Sequence, residues 1–278
     1  MSDLQILVTS MGQSDFSLIR KMNLGCDAII ANQADREEIL TETAPCGTVK
    51  MITTTTRGVG LNRNIALLAS SGELILFADD DVTYYDETPA HVVDAFRQNP
   101  DADVIIFGMD YTKEGKIIER RHLKRKRLHL WRAMRFGAVS LAVRREALLR
   151  CNIMFHQFFG GGCIYSSGED SLFLKACFEH GLHVYSHDYV LGLCCRDESS
   201  WFSGCNEKYF YDKGVLMSYL FPRFKIPMAL YFAVNFKKPT DISCFNRIRL
   251  MFAGLRSSKT MTPYQSYAAE KNESSENR

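Results

Sequence analysis

With 278 residues and 46% apolar content the chain can build one large domain or two modest ones, which excludes a wholly disordered protein. The formal charge of +2 and a pI near 8.0 give no global call for a nucleic-acid partner, and none is expected. Nine cysteines form no C-x-x-C pair, and the beginning MSDLQILVTS lacks the basic start and long apolar stretch of a secretion signal, so reduced thiols and a cytoplasmic protein are expected.

The first half alternates short apolar runs with helical patterns. QILVTS (5–10), DAIIANQ (27–33), KMITTTT (50–56), ELILFAD (73–79) and DVIIFGMD (103–110) read as strands, several too continuously apolar to have a wet face. Between them SDFSLIRKMN (14–23), GLNRNIALLASSG (60–72) and TPAHVVDAFRQNP (88–100) read as helices, the last with Pro89 in its first turn and Asn99-Pro100 at its end. This order predicts an α/β fold with a mostly parallel central sheet and helices on both faces.

Further along, GAVSLAVRREALLR (137–150) reads as a strand and a short helix, and 158–181 as a glycine-rich loop and a helix ended by Gly181. LHVYSHD (182–188) reads as another strand. Cys194 and Cys195, with His180, His183 and His187 upstream, match no familiar zinc-ligand spacing. The basic run 120–135 is either a solvated charged face or a landing strip for an anionic acceptor or membrane surface. From Gly214 to Phe236 the chain is strongly apolar, but Arg223, Lys225, Pro222 and Pro227 interrupt it. A cation at the centre of a spanning helix costs roughly 2.5–3.5 kcal/mol, so two short helices are expected there, buried or lying as a peripheral contact on a membrane. The tail 257–278 is expected to be disordered.

LFADDDV (76–82) places three carboxylates straight after an apolar strand. If extended geometry continues, Asp79 and Asp81 point one way and Asp80 the other. Two like charges at about 4 Å in an effective dielectric near 20 repel by about 4 kcal/mol, which a divalent cation would reverse; the alternative is a solvated turn. Carboxylate oxygens are hard ligands and suit Mg2+ or Mn2+. In open α/β sheets ligands bind beyond the carboxyl ends of the strands, where this triplet falls.

A second acidic pair, Glu169-Asp170, opens the helix after the glycine run that includes Gly161 and Gly162. It is either a charge favoured by the helix dipole or a general base near a reacting hydroxyl. RGVGLNRN (57–64) lacks the third glycine of a dinucleotide fingerprint and reads better as a loop entering a helix, with Arg57 and Arg63 available to phosphate oxygens.

Taken in order, ILVTS, ANQADR, RGVGLNRNIALLASSGELILFADDDV and FGGGCIYSSGEDSLFLKACFEHGLHVY resemble the family-two inverting glycosyltransferases, which have the GT-A nucleotide-sugar-binding fold, and most resemble their bacterial surface-polysaccharide members. The resemblance covers roughly residues 4–190. It implies a catalytic domain over 1–195, with a nucleotide-sugar half to about 110 and an acceptor half beyond, followed by an acceptor loop and apolar helical extension over 196–256.

Carried over residue by residue, it implies that Asp79 and Asp81 are the D-x-D acids. Asp81 would be the direct ligand of Mn2+ or Mg2+, with Asp79 near the ribose or a metal-bound water and Asp80 beside them at the nucleotide sugar. Asp170 would be the catalytic base, helped by Glu169. Thr9 and Ser10 would line the nucleotide pocket, with Asn32 or Asp35 near the base and Arg63 near the uracil or diphosphate. The acceptor side would include Gly161, Gly162 and Trp201, the last able to stack on a sugar.

TSMGQS after the first strand departs from the family's Pro-Thr-Tyr/Phe-Asn, and Val82 replaces an acid that often follows D-x-D. The implied partners are a nucleotide-diphosphate sugar, most of all a UDP-sugar, and a glycan or lipid-linked glycan acceptor. Two rivals are a metal-dependent nucleotidyltransferase, which TSMGQSD does not favour, and a non-catalytic sugar-nucleotide-binding protein.

Overall fold

A computed structural model describes residues 3–196 and 204–269. The chain divides into two compact units, Met1–Gln157 with Glu169–Ser199, and Phe158–Gly168 with Ser200–Arg278.

The first unit runs β1 (Leu4–Met11), α1 (Leu18–Lys21), β2 (Ala28–Gln33), β3 (Glu38–Ala44), β4 (Gly47–Thr54), α2 (Val59–Ala69), β5 (Leu74–Asp79), β6 (Val82–Tyr84) and α3 (Thr88–Gln98). It continues with β7 (Val104–Lys113), β8 (Lys116–Arg121), β9 (Lys126–Arg127), α4 (Leu130–Ala133), a 3-10 turn at Ala138–Ser140, β10 (Leu141–Arg144), α5 (Arg145–Arg150), α6 (Glu169–Glu179) and β11 (Val184–Cys195). All strands join one 11-stranded sheet in the order β3-β4-β2-β1-β5-β10-β7-β11-β6, with β8 on β7 and β9 on β11. The run β4-β2-β1-β5 is parallel, as is the β7-β11 pair.

Helices cover both faces because successive strand side chains alternate between them. Leu4, Ile6 and Val8 of β1 and Leu76 of β5 pack with α1 and α3 through Leu18, Met22, Val92 and Phe96. Leu7, Ile75 and Phe77 face the other way, onto α2, α5 and α6 through Leu67, Leu148, Phe173 and Leu174.

Two local expectations shift, and one strand appears that the sequence did not announce. The helix expected over 14–23 shrinks to the single turn α1: Ser17 N–H is taken by Asp15 Oδ1 at 2.9 Å, and Asn23 leaves the helix with φ of 52°. The edge strand β3 pairs antiparallel with β4. Extended geometry stops at Asp79: Asp80 and Asp81 form a turn because Val82–Tyr84 leave β5 to pair antiparallel with β11, Val82 opposite Cys194.

The second unit holds α7 (Glu207–Leu220), α8 (Lys225–Val234) and α9 (Cys244–Ser257) around a core of Phe210, Met217, Ala229, Ala233, Leu250 and Met251. Asn206 caps α7 by accepting Tyr209 N–H at 3.0 Å, and Ser243 caps α9 by accepting Asn246 N–H at 3.3 Å. The apolar 214–236 stretch is thus split between two helices separated by Pro222 and Arg223. No helix among the described residues is long and apolar enough to cross a membrane. All nine cysteines are free thiols.

Candidate active site

Register places Thr9 opposite Asp79 and Ser10 opposite Asn32, so these side chains stand at the carboxyl ends of three adjacent parallel strands, where open α/β sheets bind ligands. Thr9 Oγ1 donates to Asp79 Oδ1 at 2.7 Å. Asn32 is fully buried and braces the loop after β1: its Oδ1 accepts Gln13 N–H at 3.0 Å, and its Nδ2 donates to the Gln13 carbonyl at 2.9 Å and to Thr53 Oγ1 at 3.1 Å. Asp35 is exposed and pairs with Arg57 at 2.5 Å, and Arg57 also donates to the Thr55 and Thr56 carbonyls.

Helix α2 supplies the centre of the site. Gly58 at its N-cap has φ of 106°, a left-handed conformation that favours glycine. Gly60 packs so close to the His156 carbonyl that no Cβ would fit. Asn62 donates to the Ala31 carbonyl at 2.8 Å, and Asn64 pairs with both backbone groups of Phe155, donating at 2.9 Å and accepting at 2.8 Å. Arg63 lies between them, its side chain only 4% exposed, with its guanidinium 5.1 Å from the centroid of the Phe155 ring.

That guanidinium joins the two acidic motifs. One nitrogen donates to Asp79 Oδ1 at 3.0 Å, and the other donates to Asp170 Oδ1 at 3.0 Å and Glu169 Oε1 at 3.3 Å. Three carboxylates meet one guanidinium, so at this contact the acids outnumber the cation three to one. Burial, then the charge of Glu169, push the Asp170 pKa up to about 7 against the opposing pull of Arg63. The desolvated Arg63 keeps its charge because its three partners hold its pKa above the ordinary arginine value.

Among the described residues no cation forms an ion pair with Asp81. Its Oδ2 accepts the Cys194 thiol at 3.8 Å, and crowding by protein atoms followed by the charges of Asp79 and Asp80 push its pKa up to about 7. Burial also raises the Asp80 pKa, with Lys21 opposing.

Among the described residues no three His, Cys, Asp or Glu side chains gather into a metal cage. The surplus negative charge around Asp79 and Asp81 nevertheless fits a hard divalent cation of the kind that takes one or two carboxylates and completes its shell with phosphate oxygens and water.

Other sequence-chosen residues stand elsewhere. Gly161 and Gly162 belong to the second unit, in a segment anchored where Asp212 Oδ2 accepts Ser166 N–H and Oγ–H, each at 2.9 Å. Trp201 lies outside the described residues. The basic run 120–135 is divided: Lys126 and Arg127 pair with the start of β11, while the Met134 carbonyl accepts Ser171 Oγ–H at 3.3 Å beside the acidic end of α6.

The family described as Glycosyl transferase family 2 matches residues 17–154, which hold α2, Arg63 and the acidic triplet. The chain carries a glycosyl transferase family 2 domain. Among solved structures, S. aureus TarS 1-349 in complex with UDP-GlcNAc superposes with a TM-score of 0.59 at 15% identity, over 92% of this chain and 72% of that one. The same fragment in complex with UDP gives 0.57 at 15% identity, over 92% and 71%. The longer S. aureus TarS structure gives 0.55 at 15% identity, with 43% of it covered. At this identity the likeness shows the fold, and it is that of GT-A glycosyltransferases. No curated protein matches the chain in sequence.

Sequence reasoning missed Asn62, Asn64 and Phe155 as parts of the site. The two asparagines flanking Arg63 on a helix were the available signal, since asparagine is a poor helix former with no reason to be buried unless its amide is used.

Proposed function

We propose that this chain is an inverting glycosyltransferase that moves a sugar from a nucleotide-diphosphate sugar, a UDP-sugar, to an acceptor hydroxyl on a glycan or lipid-linked glycan, in bacterial surface-polysaccharide synthesis at the cytoplasmic side. The observation that carries it is the buried Arg63 bridge, which holds the acid at the end of β5 and the acids at the start of α6 on one guanidinium. The UDP-GlcNAc and UDP held by TarS favour a uridine donor. The donor half is assigned to about residues 1–110 and the acceptor half to 111–195, with 196–256 as acceptor loop and helical extension.

Asp170 accepts the acceptor hydroxyl's proton as the new bond forms on the face opposite the diphosphate. Its raised pKa suits a base working near neutrality, and Arg63 fixes its orientation. Glu169 shares Arg63 and raises the basicity of Asp170 through its charge. Thr9 and Arg63 hold Asp79 for the ribose or a metal-bound water. Asp81, with Asp79, would hold Mn2+ or Mg2+, which when bound neutralises charge on the departing diphosphate. Ser10, Asp80 and Arg57 complete the nucleotide side, and Gly161, Gly162 and Trp201 the acceptor side.

The test is Asp170→Asn with a UDP-sugar panel. Turnover, followed as UDP release, is expected to fall by about 10²–10⁴-fold. The manganese-dependent thermal shift with UDP is expected to stay near that of the unaltered protein. Turnover that survives sinks the base assignment, and pyrophosphate in place of UDP would identify a nucleotidyltransferase instead.

A further inference from the structure

Helix α8, Lys225–Val234, is apolar on both sides, a pattern that belongs in a protein core or a membrane. Its inner side, Met228, Ala229, Phe232 and Ala233, packs into the second unit's core. Its outer side does not. At 100° per residue Ile226, Leu230, Val234, Pro227 and Tyr231 fall within an arc of about 140°. Ile226 is 50% exposed, Val234 57% and Tyr231 64%, and Phe224, just before the helix, is 66% exposed.

Along the chain, the charges that flank this helix are all of one sign. Arg223 and Lys225 stand at its beginning and Lys237 and Lys238 just beyond its end, and from Lys213 to Thr240 there is no acidic residue. A cavity of about 370 Å³ opens beside the helix between Tyr209, Tyr231, Phe232 and Phe236, with Lys237 and Lys238 also in its lining. With its 10 residues the helix is too short to span a bilayer. An apolar stripe with cations at both ends suits a helix lying in the headgroup region, where basic side chains reach anionic phosphates while the stripe enters the acyl boundary.

We propose that α8 docks the protein on an anionic lipid bilayer, with the Ile226–Leu230–Val234 stripe inserted and Arg223, Lys225, Lys237 and Lys238 at the lipid phosphates. The excess of cations favours this occupant over a second copy of the same face, which would bring like charges together.

The experiment is flotation of the full chain, without donor or metal, with vesicles of phosphatidylcholine alone and of phosphatidylcholine mixed with phosphatidylglycerol. Binding to the mixed vesicles that weakens with salt is expected, with little on phosphatidylcholine alone. The triple variant Ile226→Gln, Leu230→Gln, Val234→Gln alters only solvent-facing positions; it is expected to keep the thermal transition and to lose at least about tenfold in partitioning. Arg223→Gln and Lys237→Gln are each expected to cost about fivefold. Three results overturn the proposal: no flotation with the mixed vesicles at low salt, flotation of the triple variant equal to the unaltered protein, or light scattering that shows a dimer dispersed by the triple variant. Each leaves the proposed sugar transfer untouched, because no donor takes part.

Discussion

Helices α2 and α7 both bury much of their length, but they do so with opposite chemistry. In α2 the buried set includes Asn62, Arg63 and Asn64, whose donors reach the Ala31 carbonyl, the acids of two distant motifs and the Phe155 backbone. In α7 the buried set is Phe210, Tyr211, Gly214, Val215, Leu216, Met217 and Leu220, with Asp212 as its one charge. Gly214 lies against the Met251 backbone and Gly254 of α9 against the Tyr211 carbonyl, so the two backbones meet at both glycines. A polar interior fixes angles and distances, because each buried donor tolerates few partners; an apolar interior supplies stability and tolerates volume-conserving exchange.

Breaking the polar side of this contrast should have the largest effect. Arg63→Met removes the cation that bridges three acids, and breaking a buried ion pair by deleting one partner typically costs about 3–5 kcal/mol. Denaturant unfolding is expected to show a loss of that order, together with loss of turnover, while Arg63→Lys, which retains the charge but cannot span both motifs, recovers more stability than activity. If Arg63→Met unfolds at the same midpoint as the unaltered protein, the bridge carries no structural weight.

On the apolar side, Gly214→Ala places a methyl against the Met251 backbone, which has no flexible end to move aside. Overpacking of this kind costs about 1–3 kcal/mol. The contrast predicts lower stability with UDP affinity retained, read by thermal unfolding and by UDP titration. A variant as stable as the parent would mean that α7 and α9 separate freely.

The buried parallel strands of the first unit were legible because strands covered on both faces must be apolar at nearly every position, as in β5, LILFAD. Strand β3 was not, since an edge strand with most side chains toward water carries polar residues such as Thr41, Glu42 and Thr43 that read as loop. The acidic motifs were legible as short patterns, while their union was not: Arg63 meets Asp170 across 107 positions, and only the sheet order brings them together. The turn at Asp80–Asp81 was hidden for a similar reason, because the partner that draws β6 away, β11, lies more than a hundred residues later.

The smallest effect concerns protons. In the folded protein the Asp170 pKa is raised from 3.8 to about 7, so stability from this group is fully present below the unfolded value and lost as pH rises through the folded one. Catalysis by an ionised base runs the other way: kcat/KM should fall about tenfold per pH unit below the folded pKa and level off above it. Activity and the stability of the unliganded protein should therefore move in opposite directions across the same interval. Asp170→Asn should flatten both curves, the residual kcat/KM and the pH dependence of thermal unfolding. If kcat/KM of the unaltered protein already sits on its plateau at about pH 5, the polar cluster does not raise Asp170 in the working enzyme, and the surplus charge around Arg63 is relieved before the acceptor binds.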